Sequence, residues 1–326
     1  MMAEGQAVQG EKTKWFLLAA LVVAMAAVPL FVDSVYVLRI FILVYVSVIA
    51  TSSLSTIAIS GQISMGHAGF MGIGAYTSAL LAKHLGWTPW LTMPLGALFT
   101  MVIAILVGFP FSRLRTFYFS MVSLFFGIAM IGINTMFSRY TGGHYGLTRI
   151  PPLFTTSSVP YYFFFLGLTV VSLFVLHRFE SCRIGTSLKA VAQSHDVAAS
   201  VGIDESGYRV LALAAGCFMV GLAGAAYAHF NLVLSHSSFD LLASINLMVY
   251  MVVGGIGSFA GPIVGAAVLV AVPEVFRGLK MYTPFVFAGV VILVIFLIPQ
   301  GFVGLYERTV MRFMKPGEGG ESNGPS

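Results

Sequence analysis

Ser60 to Tyr76 reads SGQISMGHAGFMGIGAY, with five glycines, a glutamine and a histidine but no formal charge. Long apolar runs lie on both sides of it. Chain that bends between apolar runs sits at or near membrane depth, where irregular backbone is tolerated only if it is buried in protein or lines a cavity. The stretch is therefore the first candidate for a transport path.

The composition around it agrees. Of 326 residues, 58% are hydrophobic and only 9% charged, and the mean hydropathy is +0.93, whereas soluble domains carry about 25% charged residues. That leaves too little polar surface to coat a soluble particle. The net charge of +5 does not point to nucleic acid, because the basic residues are scattered at the ends of apolar segments and form no aromatic-interleaved patch. Cys182 and Cys217 have no metal-type spacing, and one lies in a charged loop while the other lies in an apolar segment, so no disulfide is expected between them. Gly5 to Thr13 nearly spells a phosphate-binding loop, but Glu11 displaces Lys12 by one residue and no strand precedes it. No nucleotide site follows from it.

A spanning helix needs about 20 apolar residues. On that criterion the sequence predicts an all-α polytopic membrane protein with roughly ten spanning or half-spanning helices: Trp15–Phe31, Val35–Ile59, His67–Leu85, Trp90–Pro110, Phe117–Phe137, Pro160–His177, Arg209–Phe230, Leu241–Ile256, Pro262–Phe276 and Pro284–Pro299. The eighth and ninth are short enough to be half-helices. Lys12 and Lys14 before an apolar run containing Ala24-Met25-Ala26 imitate a cleavable signal, but the run continues past it, so an uncleaved first helix is expected. With the N-terminus inside, eleven Lys and Arg residues fall on the cytoplasmic side and six (Arg39, Lys83, Arg139, Arg149, Arg277, Lys280) on the other, the bias expected of a multi-pass membrane protein with both termini cytoplasmic. Residues 1–14 then form a cytoplasmic lead, 15–306 the membrane domain with a cytoplasmic loop at 179–208, and 307–326 a tail rich in Gly, Glu and Ser at its end.

A weak two-fold repeat is visible. Gly61 and Ser64 have counterparts 194 residues later in Gly255 and Ser258, within GGIGSFAGP from Gly254 to Pro262. Paired interruptions in two halves point to a midplane path in transporters. The candidate path residues are Gly61, Gln62, Ser64, Gly66, His67, Gly69, Gly254, Gly255, Gly257 and Ser258. Small-residue packing between helices explains the same glycines equally well, so both readings stay open.

No Ser/His/Asp group, carboxylate pair or metal-ligand spacing stands out; His229 and His236 flank a loop and read as interfacial histidines. Proton- and sodium-driven carriers usually keep ionisable or strongly polar residues at depth, whereas the interior here offers Gln62, His67, Asn134, Ser120, Ser123 and Asn246, with Glu274 near a predicted helix end. Energy is thus expected from outside the membrane. The longest charged loop shows where. Within SCRIGTSLKAVAQSHDVAASVGIDESGY, from Ser181 to Tyr208, Thr186 or Ser187 can cap a helix that Gly202 ends. Leu188, Val191, Ala192, His195 and Ala199 would form its apolar face and Lys189, Gln193, Asp196 and Ser200 its polar one. It carries little cationic excess and no large aromatic anchors, which favours docking on a protein over lying on lipid headgroups.

Together SGQISMGHAGFMGIGAY, SCRIGTSLKAVAQSHDVAASVGID, LAGAAYAHF, LLASINLMVYMVVGGIGSFAGPIVGAA and IPQGFVGL resemble, in order and over about Val35 to Leu305, the permease family of bacterial branched-chain amino-acid ABC importers, in its LivM-type branch. The resemblance implies an inner-membrane transport subunit that is not itself an enzyme and holds no cofactor. Its partners would be a second permease of the same family, two cytoplasmic ATPases that bind ATP and magnesium, and an extracytoplasmic substrate-binding protein. It also implies that Thr186–Gly202 is the coupling helix on an ATPase. One departure is that the charged pair usual after the Lys-Ala-Val block is replaced by Gln193 and Ser194, which makes that contact less electrostatic. Urea, short amides or other amino acids are alternative cargoes within this family, and a self-sufficient carrier or channel is the alternative outside it.

Overall fold

The computed structural model describes residues 22–29, 31, 34–114, 116–154 and 158–297. The near-motif at Gly5–Thr13, most of the first predicted span, and the chain after Leu297 lie outside the described residues. Every long element is a helix, the form in which a chain satisfies its own backbone groups in lipid. After α1 (residues 22–29) come α2 (Val35–Ala58), α3 (His67–Leu85), α4 (Pro89–Ser112), α5 (Thr116–Met136) and the single turn α6 (Ser138–Thr141). Then follow α7 (Ser158–Ser181), α8 (Arg183–Gln193), α9 (His195–Ser200), α10 (Glu205–Asn231), α11 (Leu241–Gly254), α12 (Ala260–Val275) and α13 (Thr283–Leu297).

Among the described residues six segments are long and apolar enough to cross a membrane: α2, α4, α5, α7, α10 and Ser237–Gly254, which joins a 3₁₀ turn at His236–Phe239 to α11. Helices α12 and α13 are shorter apolar helices, as expected for α12. Although 19 residues long, α3 is not among the six; its glycines and polar residues suit it to a place inside the bundle, against α4, α5, α10 and α11. The outer faces of α4, α5 and α7 expose Leu98, Val102, Leu106, Phe117, Met121, Phe125, Val171 and Phe174. A contiguous apolar belt of that kind is stable only against lipid or another membrane subunit.

The central helix is α10, packed against α2, α3, α4, α7 and α8. Its sequence ALAAGCFMVGLAGAAYAHF is built from small residues, which let backbones approach where no hydrophobic force draws helices together. A Cβ on Gly74 of α3 would lie 2.2 Å from the carbonyl oxygen of Gly221 in α10, so only glycine fits this crossing. One aromatic core joins α2 and α7 through Tyr45 and Tyr162, whose hydroxyls are 2.8 Å apart, with their rings edge to face. A second core, around Leu54, Phe70, Phe119, Leu213 and Val220, joins α2, α3, α5 and α10.

His229 is not interfacial as the sequence suggested. It is fully buried in α10, with Nε2 2.9 Å from Ser78 Oγ of α3 and Nδ1 2.8 Å from the carbonyl oxygen of Pro151. It ties two helices to the 147–153 segment, which pairs with the 232–234 loop through Leu147 and Leu234. Arg209, counted in the sequence as a loop charge, is also buried; it pairs with Glu205 and donates to the carbonyl of Ser112 at 3.2 Å, where the last carbonyls of α4 attract a cation.

Candidate functional site

The site builds from the end of α2. Ser60 Oγ donates to the carbonyl of Ile57 at 2.7 Å, and Gly61 reverses the chain at φ +80°, a conformation that side chains with a Cβ disfavour. The returning strand then runs back among the helices. Its polar groups are met mainly by hydroxyls on α5: Ser120 Oγ donates to the carbonyl of Ile63 at 2.7 Å, and Met65 N–H donates to Ser123 Oγ at 3.0 Å. Gln62 Nε2 reaches the carbonyl of Leu114 at 3.4 Å. Such pairing is what lets irregular chain persist inside an apolar bundle.

Helix α3 starts deeper than this turn. Gly66 lies so close to α5 that a Cβ would fall 1.9 Å from the carbonyl oxygen of Ser123, and a Cβ on Gly69 would fall 3.1 Å from Gly127 Cα. His67 is fully buried, with Nε2 2.8 Å from Ser53 Oγ; that hydroxyl donates to the carbonyl of Ala50, so the ring nitrogen is the donor toward it. The next amide, Ala68 N–H, donates to Ser244 Oγ of α11 at 3.1 Å. Ser64 Oγ and His67 Nδ1 have no hydrogen-bond partner among the described residues.

The second interruption is a tight connection between α11 and α12. Gly255 and Gly257 take φ +117° and +100°, Ser258 Oγ accepts the Gly261 N–H at 3.0 Å, and a Cβ on Gly254 would lie 1.9 Å from the carbonyl oxygen of Gly261. This turn is not at the middle of the bundle, where the paired interruptions were expected. It lies with Lys189 on one cavity at the bundle end that carries α8, and the Gly61 turn, beside Ala192 of α8, lies at the same end. Ser55 and Ile59 of α2, Glu180 of α7, Lys189 of α8 and Gly257 to Phe259 line one cavity there, of about 140 Å³. On the other side a Cβ on Gly61 would meet Ala192 Cα and Cβ at 3.5 Å, ordinary contact. The Gly61 turn therefore lies beside α8, and the second turn shares a cavity with Lys189 of α8.

The expected single helix over Thr186–Gly202 is two helices. Cys182, not Thr186 or Ser187, precedes the first, and Thr186 instead bonds back to the Cys182 carbonyl at 3.4 Å. Ser194 breaks the run: its extended backbone (φ −159°) ends α8, and its Oγ accepts the Val197 N–H at 3.5 Å to start α9. The break turns the second helix, so Ala198 rather than Ala199 faces inward. Leu188 and Val191 are buried as expected, and Gly202 ends α9 at φ +80°. Thr186, Lys189, Ala192, Gln193, Ala199 and Gly202 are exposed, as are Val197 and Val201. The side chains of His195 and Asp196 lie outside the described residues.

The corner that carries α8 is held from within. Glu180, buried at the end of α7, accepts the Thr56 Oγ1 hydrogen of α2 at 2.9 Å, and a Cβ on Gly185 would lie 2.1 Å from its carbonyl oxygen. The sequence reading missed Glu180 because it stands at the edge of the charged loop. It also missed Asp240; the signal available was an Asp directly ahead of an apolar run, the place of a helix cap. Among the described residues no group of His, Cys, Asp and Glu could hold a metal ion.

Residues 36–299 match the family model described as "Branched-chain amino acid transport system / permease component". The chain is 30% identical over 321 residues to the high-affinity branched-chain amino acid transport system permease protein LivM of Escherichia coli, covering 89% of this chain and 75% of that protein. To LivM of Salmonella typhimurium it is 29% identical over the same shares. The corresponding permease protein LivH of Escherichia coli is 23% identical over 76% of this chain and 87% of its own. Among solved structures, PsaBC from Streptococcus pneumoniae in complex with Fab covers 82% of this chain and 93% of that one at 14% identity and a TM-score of 0.45.

Proposed function

The chain belongs to the branched-chain amino-acid transport permease family, and from that premise we propose that it is the permease subunit of an ATP-driven importer carrying branched-chain amino acids across a bacterial inner membrane. The observation that carries the mechanism is that, at one end of the bundle, α8 lies beside the Gly61 turn and shares a cavity with the second glycine turn. Two cytoplasmic ATPases would seat on the outward face of α8 and α9, where Val197 and Val201 are exposed one helical turn apart. Their closing on ATP would press α8 toward the Gly61 turn and the Gly257–Phe259 turn, the first leading through the irregular residues 62–66 into α3 and the second directly into α12. Transmission of this kind needs packed elements with two arrangements, not chemistry in this chain.

A second permease would cover part of the apolar belt, and a substrate-binding protein would deliver cargo at the opposite end. The candidate path residues divide accordingly. Gly61, Gly257 and Ser258 would receive the push, while Gln62, Ser64, Gly66, His67 and Gly69 hold the start of α3 in place, with Gly254 and Gly255 shaping the second turn.

Two outcomes test this. The chain reconstituted with its second permease, ATPases and binding protein should take up leucine only when ATP is present on the ATPase side; uptake by this chain alone without ATP would make it a carrier. The Lys and Arg asymmetry further requires α8 and α9 to be cytoplasmic. In a background without Cys182 and Cys217, a membrane-impermeant thiol reagent added to intact cells should label Tyr145→Cys, at a side chain 97% exposed, and leave Val201→Cys, at one 70% exposed, untouched. The reverse pattern would place the ATPases on the wrong side.

A further inference from the structure

Asp240, an acidic side chain that the fold places beside mid-helix residues of α5, is used by none of the steps above. It stands at the start of α11, whose 14 residues rise about 21 Å before reaching the α8 end. Its neighbours fix its depth. Phe239 beside it packs edge to face on Tyr76 of α3 and Tyr227 of α10, and Asp240 itself shares a narrow cleft with Met65, Leu124, Gly127 and Ile128, the last three from the centre of α5. The loop after α10 therefore dips into the bundle before α11 begins. A carboxylate at that depth is expensive to keep and marks a function by default.

Asp240 Oδ1 accepts the Ala243 N–H at 2.9 Å, which caps α11, while no ion pair or hydrogen bond to Oδ2 occurs among the described residues. An asparagine or serine would cap as well, so capping does not account for the charge. The cleft beside it has one anionic corner and the Ser244 hydroxyl, with the remaining wall apolar from Met65, Leu124, Ile128 and Phe239. This is the pattern of an α-ammonium group with an aliphatic side chain next to it. We propose that Asp240 receives the ammonium group of the amino acid in transit, with Leu124 and Ile128 against its side chain; the inference rests on the importer reading above. In this conformation the cleft has no space for a water-sized sphere, so α5 must move away from α11 for substrate to enter. Among the described residues, α5 is held there mainly by α3, α4, α11 and the short turns beside them.

The test uses the complete importer in proteoliposomes with saturating leucine-loaded binding protein. Asp240→Asn and Asp240→Ser keep the cap and remove the charge; each should lower leucine uptake at least tenfold while yield, subunit composition and basal ATP hydrolysis stay at wild-type values. Asp240→Glu, which restores the charge, should recover a third or more of the wild-type rate. Uptake by the Asn variant within twofold of wild type overturns the proposal, and so does failure of both neutral variants to assemble, which would assign Asp240 to architecture. Absence of leucine uptake by the wild-type complex would instead overturn the importer reading.

Discussion

Gly66→Ala is expected to remove the permease from the membrane altogether. The added Cβ would sit 1.9 Å from the carbonyl oxygen of Ser123 and 2.8 Å from its carbonyl carbon, and backbone of a neighbouring helix cannot swing aside as a side chain can. Overpacking a core ordinarily costs about 1–3 kcal/mol, and here relief requires the whole of α5 to shift, which would strip Ser120 and Ser123 from the strand they satisfy. A stability of a few kcal/mol does not survive that loss. Gly132→Ala and Gly167→Ala, in helices where nothing lies within 4 Å of the added atom, should leave yield and uptake unchanged. Quantitative blotting of membranes and leucine uptake in the same cells decide the matter: normal yield with lost uptake would make Gly66 a lining residue rather than a packing one, and normal uptake would contradict the close approach itself.

How far this contact was legible in the sequence is instructive. Five glycines in seventeen residues announced that something approaches the backbone closely, but Gly66 and its partner Gly127 are 61 residues apart, and no local pattern names one to the other. The apolar runs gave the helices to within a few residues because a spanning segment is defined by its own length and composition. The α8–α9 break was hidden for the opposite reason. Gln193-Ser194-His195-Asp196 contains neither Gly nor Pro, and Ser194 ends one helix by capping the next, a choice made by the packing of Ala198 rather than by propensity. The burial of His229 and the place of Asp240 in a cleft against α5 were not legible. Both flank a connection that folds back into the bundle, and periodicity does not report where a polar residue beside an apolar run ends up when the loop carries it inward.

The second large effect is expected at Val191, which is 0% exposed on the inner face of α8, the helix that rests on α7 and α10. Only Gly185, Leu188 and Val191 of that helix are buried, so its seat is small. Val191→Asp puts a carboxylate into that buried seat, a cost of several kcal/mol that the chain avoids by letting α8 lift off. The membrane helices have their own cores and should stay folded. What is lost is the contact of Ala192 with Gly61 and of Lys189 with the cavity at Gly257–Phe259. Val191→Ala, which leaves a small gap and no charge, should cost about 1–2 kcal/mol at most and leave coupling largely intact.

Because α8 is held to be the only route from ATP hydrolysis to the helices that move, the most direct measurement is the number of leucine molecules imported per ATP hydrolysed by the reconstituted complex. With Val191→Asp that number should fall at least tenfold while the variant remains in the membrane at wild-type amounts, whether the ATPases turn over idly or detach. A wild-type ratio at a wild-type uptake rate in this variant would contradict the account.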